Sequence, residues 1–198
     1  MAIERGAAAA SAGAVNWVDA TVMSWVDAHR FPLGDYVARA AMGAGASTAV
    51  VAAIAFAALA HVALSRRYAL GVVVMAATVI AAAASGLLKD LFGRARPPVS
   101  LALAGAGGLS MPSTDAALSA AAAAALLVAL GWYRPSRRPL VGWLLATGVF
   151  AVGLCLVYLG VHWLTDVLAG WALGATVGCG TAAVFAAVSG TRGAFRPV

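Results

Sequence analysis

Apolar runs of about 20 residues follow one another along this chain, each bounded by a short polar interruption. A helix of that length, at about 1.5 Å of rise per residue, crosses roughly 30 Å of hydrocarbon, and helices and closed barrels alone satisfy their own backbone there. Interruptions at Arg66-Arg67, Lys89 to Pro112, Arg134 to Pro139 and His162 divide the runs into spans at 36–62, 68–88, 114–132, 140–160 and 164–188. With 63% hydrophobic and 10% charged residues, the chain is too apolar for a soluble domain of ordinary composition. The expected fold class is therefore all-α: a polytopic membrane helical bundle of about five transmembrane helices.

Residues 15–29 read as a further, interfacial helix. Val15, Val18, Val22, Trp25, Val26 and His29 recur at helical spacing, while Asn16, Asp19 and Asp27 fall largely elsewhere on the wheel. Residues 1–14 read as a flexible N-terminus without the cationic leader and long apolar core of a cleaved signal, 15–188 as one membrane-embedded domain, and 189–198 as a cytoplasmic tail. Five spans place Arg66, Arg67, Arg134, Arg137, Arg138, Arg192 and Arg196 on one side, which the positive-inside rule makes cytoplasmic. The expected location is the plasma membrane, with Lys89, Arg94, Arg96, Ser113, Asp115, His162 and Asp166 at its outer, periplasmic or extracellular face. Cys155 and Cys179 lie inside separate spans and suggest no disulfide, and no Cys/His spacing suggests a metal. Gly105, Gly107 and Gly108 lack the Lys and Ser/Thr of a nucleotide loop, and the net charge of +6 at the membrane rim suits anionic lipid rather than nucleic acid.

Three polar patches interrupt the spans. Lys89, Arg94 and Arg96 end one span and suit a phosphate group, Arg as a planar fork and Lys as a compact charge. Pro112, Ser113 and Thr114 open the next helix, where a capping hydroxyl and free amides point at an anion. His162 and Asp166 are four apart, so a carboxylate holding one imidazole nitrogen leaves the other basic. The apolar, Gly-rich connection 97–112 is expected to be mobile and to dip into the outer leaflet.

The order Lys, six residues, Arg-Pro, then Pro-Ser, then His with Asp four later is similar to the three-part signature of the type 2 phosphatidic acid phosphatase family, and "YLGVHWLTDVLAGWALG" looks like its third motif. The resemblance implies a membrane lipid-phosphate phosphatase with a phosphohistidine mechanism and no required cofactor or metal. His162 attacks phosphorus, Asp166 orients it, and Lys89, Arg96 and Ser113 with its neighbouring amide hold the phosphoryl oxygens. Two positions depart from the pattern. Asp115 stands where the family has the His that protonates the leaving group, and Leu156 stands where it has an Arg. Asp115 is then a protonated acid, or dispensable because a diphosphate expels a good leaving group, or a ligand of a divalent cation. The second of these favours a polyprenyl diphosphate substrate. The same scaffold also suits a lipid-phosphate binding or flipping protein, or a transferase that passes the phosphoryl or lipid headgroup to an acceptor other than water.

Overall fold

The structure, a computed structural model, describes residues 15–46, 64, 68–133 and 135–189. Among these residues the chain is all-helical: α1 (Trp17–Ala28), α2 (Pro32–Ala46), α3 (Tyr68–Phe92), α4 (Thr114–Tyr133), α5 (Arg138–Tyr158) and α6 (Leu164–Val188), with 3₁₀ turns at Val99–Leu101 and Pro135–Arg137. Among the described residues four helices are long and apolar enough to cross a membrane: Tyr68–Phe92, Thr114–Gly131, Arg138–Tyr158 and Leu164–Val188. They correspond to the last four expected spans, except that α5 stops at Tyr158 because residues 159–163 turn back into the site. Of the span expected at 36–62, residues 36–46 belong to α2 and 47–63 lie outside the described residues, as do 1–14, 190–198 and the cations Arg66, Arg67 and Arg134.

Small residues let α3, α4 and α6 form the tight centre of the bundle. Gly170, Gly174 and Gly178 recur every four residues on α6, and a Cβ on any of them would meet a backbone carbonyl of Ser113, Ala117 or Ala121. On α3 the matching ridge is Val73, Ala77, Ala81 and Ser85, all buried. Bulk faces outward instead: Val72, Met75, Val79, Leu87 and Leu91 on α3, and Leu140, Trp143, Leu144, Phe150 and Leu154 on α5, are exposed. An apolar exterior around an interior of small residues suits hydrocarbon as the surrounding solvent.

The N-terminal helix forms where the sequence places it. Asn16 caps α1, its Oδ1 accepting from the Asp19 amide at 2.8 Å. Trp17 and Trp25 are exposed, as an interfacial helix requires. Asp19 does not join a polar outer face; with Met23, one turn on, it is buried against the end of the bundle. Beyond α1, Ala38 of α2 joins a core of Ala116, Leu156, Leu159, Val161 and Val167 beneath the same end.

Candidate active site

The three polar patches converge at one end of the bundle. Gly93, at φ +58°, stops α3 with its amide bonded to the Lys89 carbonyl at 2.9 Å, and residues 94–96 then leave regular secondary structure. Arg94 and Arg96 both address the 161–166 turn, Arg94 through Thr165 and Asp166 and Arg96 through Val161 and His162. The Ser110 amide bonds the Arg94 carbonyl at 2.8 Å, and the Trp163 indole N–H donates to the Ala95 carbonyl at 3.0 Å, strapping this segment between loop and turn.

His162 sits in that turn, 3% exposed. Gly160, at φ +67°, makes the turn possible: a Cβ there would run into the Leu101 carbonyl. The imidazole Nδ1 lies 3.4 Å from Asp166 Oδ2, and Nε2 lies 3.1 Å from the Arg96 guanidinium. His162 precedes α6, so the pair is not aligned by one turn of helix as its spacing suggested. Asp166 instead sits in the first turn of α6 and reaches back, accepting the Trp163 amide at 2.9 Å. The Ser110 hydroxyl donates to the same carboxylate oxygen. Burial, chiefly, holds the His162 imidazole below its usual pKa of 6.5, and the Arg96 and Lys89 charges act in the same direction against the Asp166 hydrogen bond. The ring is therefore neutral at neutral pH, with a lone pair to offer.

Two of the expected phosphate ligands surround this ring. Arg96 donates to the Val161 carbonyl at 2.7 Å and through Nε to Gly107 and Gly108 at 3.0 and 3.2 Å. Lys89 donates to the Leu109 carbonyl at 2.8 Å. Both cations thus also hold the 97–112 connection, which is pinned at Leu103 as well, its amide bonded to the Leu159 carbonyl at 2.8 Å. The loop expected to be mobile is anchored at several points over the site, Ser110 among them.

Other expected ligands are placed differently. Arg94 is 8% exposed and is consumed by two carboxylates, Asp19 at 2.5 Å and Asp166 at 2.8 Å, so it is not free to meet a phosphate. The Ser113 amide donates to the Asp166 carbonyl at 2.9 Å, which leaves only the Ser113 side chain for a ligand, and that hydroxyl caps α4 by accepting the Ala116 amide at 3.4 Å. The Thr114 hydroxyl pairs with Ser85 of α3 at 2.9 Å and serves helix packing. Asp115 is exposed on the first turn of α4 without a hydrogen bond, rather than enclosed by apolar residues. Leu156 is buried among Ala38, Ala116 and Val167, so no cation approaches from that position. Among the described residues no group of three His, Cys, Asp or Glu is placed to hold a metal. Asp19 was not legible as part of the site: its partner Arg94 is 75 residues away, and only its cost within an apolar segment hinted at a buried counter-charge.

The sequence profile of the PAP2 superfamily matches residues 68–189, which span α3 to α6 and all of the centre but Asp19 of α1. The chain belongs to the PAP2 superfamily. Among solved structures it is similar to a transmembrane PAP2-type phosphatidylglycerolphosphate phosphatase from Bacillus subtilis, at 22% identity and a TM-score of 0.73, over 90% of this chain and 87% of that one. It is also similar to LpxE of Aquifex aeolicus, at 23% identity and a TM-score of 0.64, over 81% of this chain and 92% of that one. At these identities the likeness is one of fold, the PAP2 membrane phosphatase fold. No curated protein matches the chain.

Proposed function

We propose that this PAP2 protein hydrolyses a lipid phosphate at the outer face of the plasma membrane through a phosphohistidine on His162, with a polyprenyl diphosphate as the preferred substrate class. The observation that carries this reading is a buried imidazole with one nitrogen against Asp166 and the other beside Arg96, at the end of four membrane-length helices. Nε2 of His162 attacks phosphorus, the bond to the bridging oxygen breaks, and the lipid leaves on that oxygen. Asp166 steadies the imidazolium character that develops, and Arg96 and Lys89 exchange their present partners, Nε2 itself and the carbonyls around it, for phosphoryl oxygens, which frees the Nε2 lone pair. Water then cleaves the N–P bond, releasing phosphate and restoring the ring. Arg137 and Arg138 lie at the start of α5, away from the site, and the positive-inside rule supports this orientation.

The substrate class follows from Asp115 and Leu156. With a carboxylate in place of a proton donor and one clamping cation fewer, expelling an alkoxide is difficult. Expelling a phosphate monoester is far easier, since that anion is a much weaker base. Asp115→His therefore raises phosphate release from lipid monophosphates by about 10²-fold or more, the scale general acids contribute, and from diphosphates much less. Equal gains on both substrates in a purified-protein assay contradict the leaving-group argument.

The pH dependence has a definite sign. The imidazolium form has no lone pair, so kcat/KM falls as pH drops through the His162 pKa, and that midpoint lies below 6.5. A rate profile on a lipid diphosphate with its acid limb centred above 6.5 contradicts this. A second reading, a lipid-phosphate binding protein without turnover, draws on Leu156 filling a core position; saturable binding without phosphate release favours it.

A further inference from the structure

The reading above leaves Asp19 unused. It is 1% exposed, although it comes from α1, a helix outside the four membrane-length ones. Its Oδ2 accepts from Arg94 Nη2 at 2.5 Å and from the Thr165 hydroxyl at 2.6 Å, and its Oδ1 accepts the Thr165 amide at 2.9 Å. Arg94 Nη1 in turn donates to Thr165 Oγ1 at 2.6 Å and to Asp166 Oδ1 at 2.8 Å. An unbroken chain of charge-assisted hydrogen bonds thus runs from Asp19 through Arg94 and Asp166 to His162.

We propose that Asp19 is a positioning residue for the phosphoryl-transfer centre, acting through Arg94 on the Asp166 carboxylate that holds His162. This inference rests on the hydrolase reading and deepens it. Two consequences follow from the geometry. Asp19 fixes which edge of the guanidinium meets Asp166, so that Arg94 takes Oδ1 and Oδ2 is left to the Ser110 hydroxyl, the Trp163 amide and the imidazole. Asp19 also offsets the Arg94 charge. Without that offset the guanidinium would weaken the negative potential that Asp166 exerts on His162 as the ring becomes positive during attack. The second effect belongs to the transition state, so it appears in kcat rather than in substrate affinity. Asp19 further supplies the amide of Thr165, in the first turn of α6, with an acceptor from another helix, which ties the seating of α1 to the site.

The test compares wild type, Asp19→Asn, Arg94→Gln and the double variant on a lipid diphosphate, with Ser24→Ala on the exposed face of α1 as control. Asp19→Asn keeps the shape and removes the charge. Its kcat falls about 10- to 100-fold while KM stays within about threefold, a loss on the scale of one charge-assisted hydrogen bond. The double variant loses no more than Arg94→Gln alone. Unchanged kcat in Asp19→Asn, a loss carried by KM, or additive losses in the double variant overturn the proposal. If Arg94→Gln does not fold, Thr165→Val removes the bridging hydroxyl and lowers kcat several-fold with KM unchanged. A readout free of turnover is the nitrogen-15 spectrum of the His162 ring, assigned by its loss in His162→Ala: Asp19→Asn shifts it, Ser24→Ala does not, and identical spectra overturn the inference. Wild-type protein inactive on every lipid phosphate removes the hydrolase reading, and the spectrum still decides whether Asp19 reaches His162.

Discussion

His162→Ala reduces phosphate release from a long-chain lipid diphosphate by roughly 10⁴- to 10⁶-fold, the scale expected when a covalent nucleophile is lost. The size follows from the arrangement at the ring. Lys89 and Arg96 still bring positive charge to the phosphoryl group, but the neighbouring hydroxyls have other work: Ser110 donates to Asp166, Thr114 pairs with Ser85, and Ser113 caps α4. Electrostatic clamping alone leaves the residual rate. KM changes little, because the cations that bind the headgroup remain, so the loss appears in kcat. Release within about tenfold of wild type, measured on purified protein in detergent, excludes His162 as the attacking group.

Gly174→Ala lowers the thermal unfolding midpoint of the protein in detergent by about 10 °C, whereas the same change at Gly180 leaves it unchanged or slightly raised. The two glycines lie on the same helix and lose the same backbone freedom. They differ in what the new methyl meets. At Gly174 it collides with the Ala117 carbonyl of α4, and at Gly180 nothing lies within 4 Å. A carbonyl inside a helix cannot rotate aside, so α4 and α6 part along their shared face. A cost of about 3 kcal/mol, the upper end for overpacking, corresponds to that shift. The neighbouring Gly170 faces the Ser113 carbonyl, so the ridge that closes the bundle also sets the distance between Ser113 and the Asp166 turn. Equal melting of the two variants contradicts the close approach of α4 and α6.

Hydropathy made the four membrane-length helices legible because hydrocarbon selects on length and apolarity, both linear properties of the chain. Polar residues at the span ends were legible for the complementary reason: an intramembrane charge is costly and so marks a place of use. Which charge serves which purpose was not. Arg94 and Arg96 are the same residue type two positions apart, and only the chain direction after Gly93 sends one to a buried carboxylate pair and the other to the imidazole. Asp19 looked like part of a polar helix face because its counter-ion lies in a distant stretch of sequence. The four-residue spacing of Gly170, Gly174 and Gly178 was present in the string but concealed by a chain holding 22 glycines. The Thr114 hydroxyl is the converse: a site-adjacent residue whose bond to Ser85 belongs to packing, with no local signal to separate the two roles.

The most direct test of the account is acid-free trapping of the wild-type protein during turnover of a lipid diphosphate carrying radiophosphate in its terminal group, followed by digestion and peptide mapping. The account predicts label on the peptide containing His162, stable to alkali and lost in acid as a phosphoramidate is. Label on a carboxylate of the Asp115 peptide, or brisk phosphate release with no label trapped at His162, contradicts it.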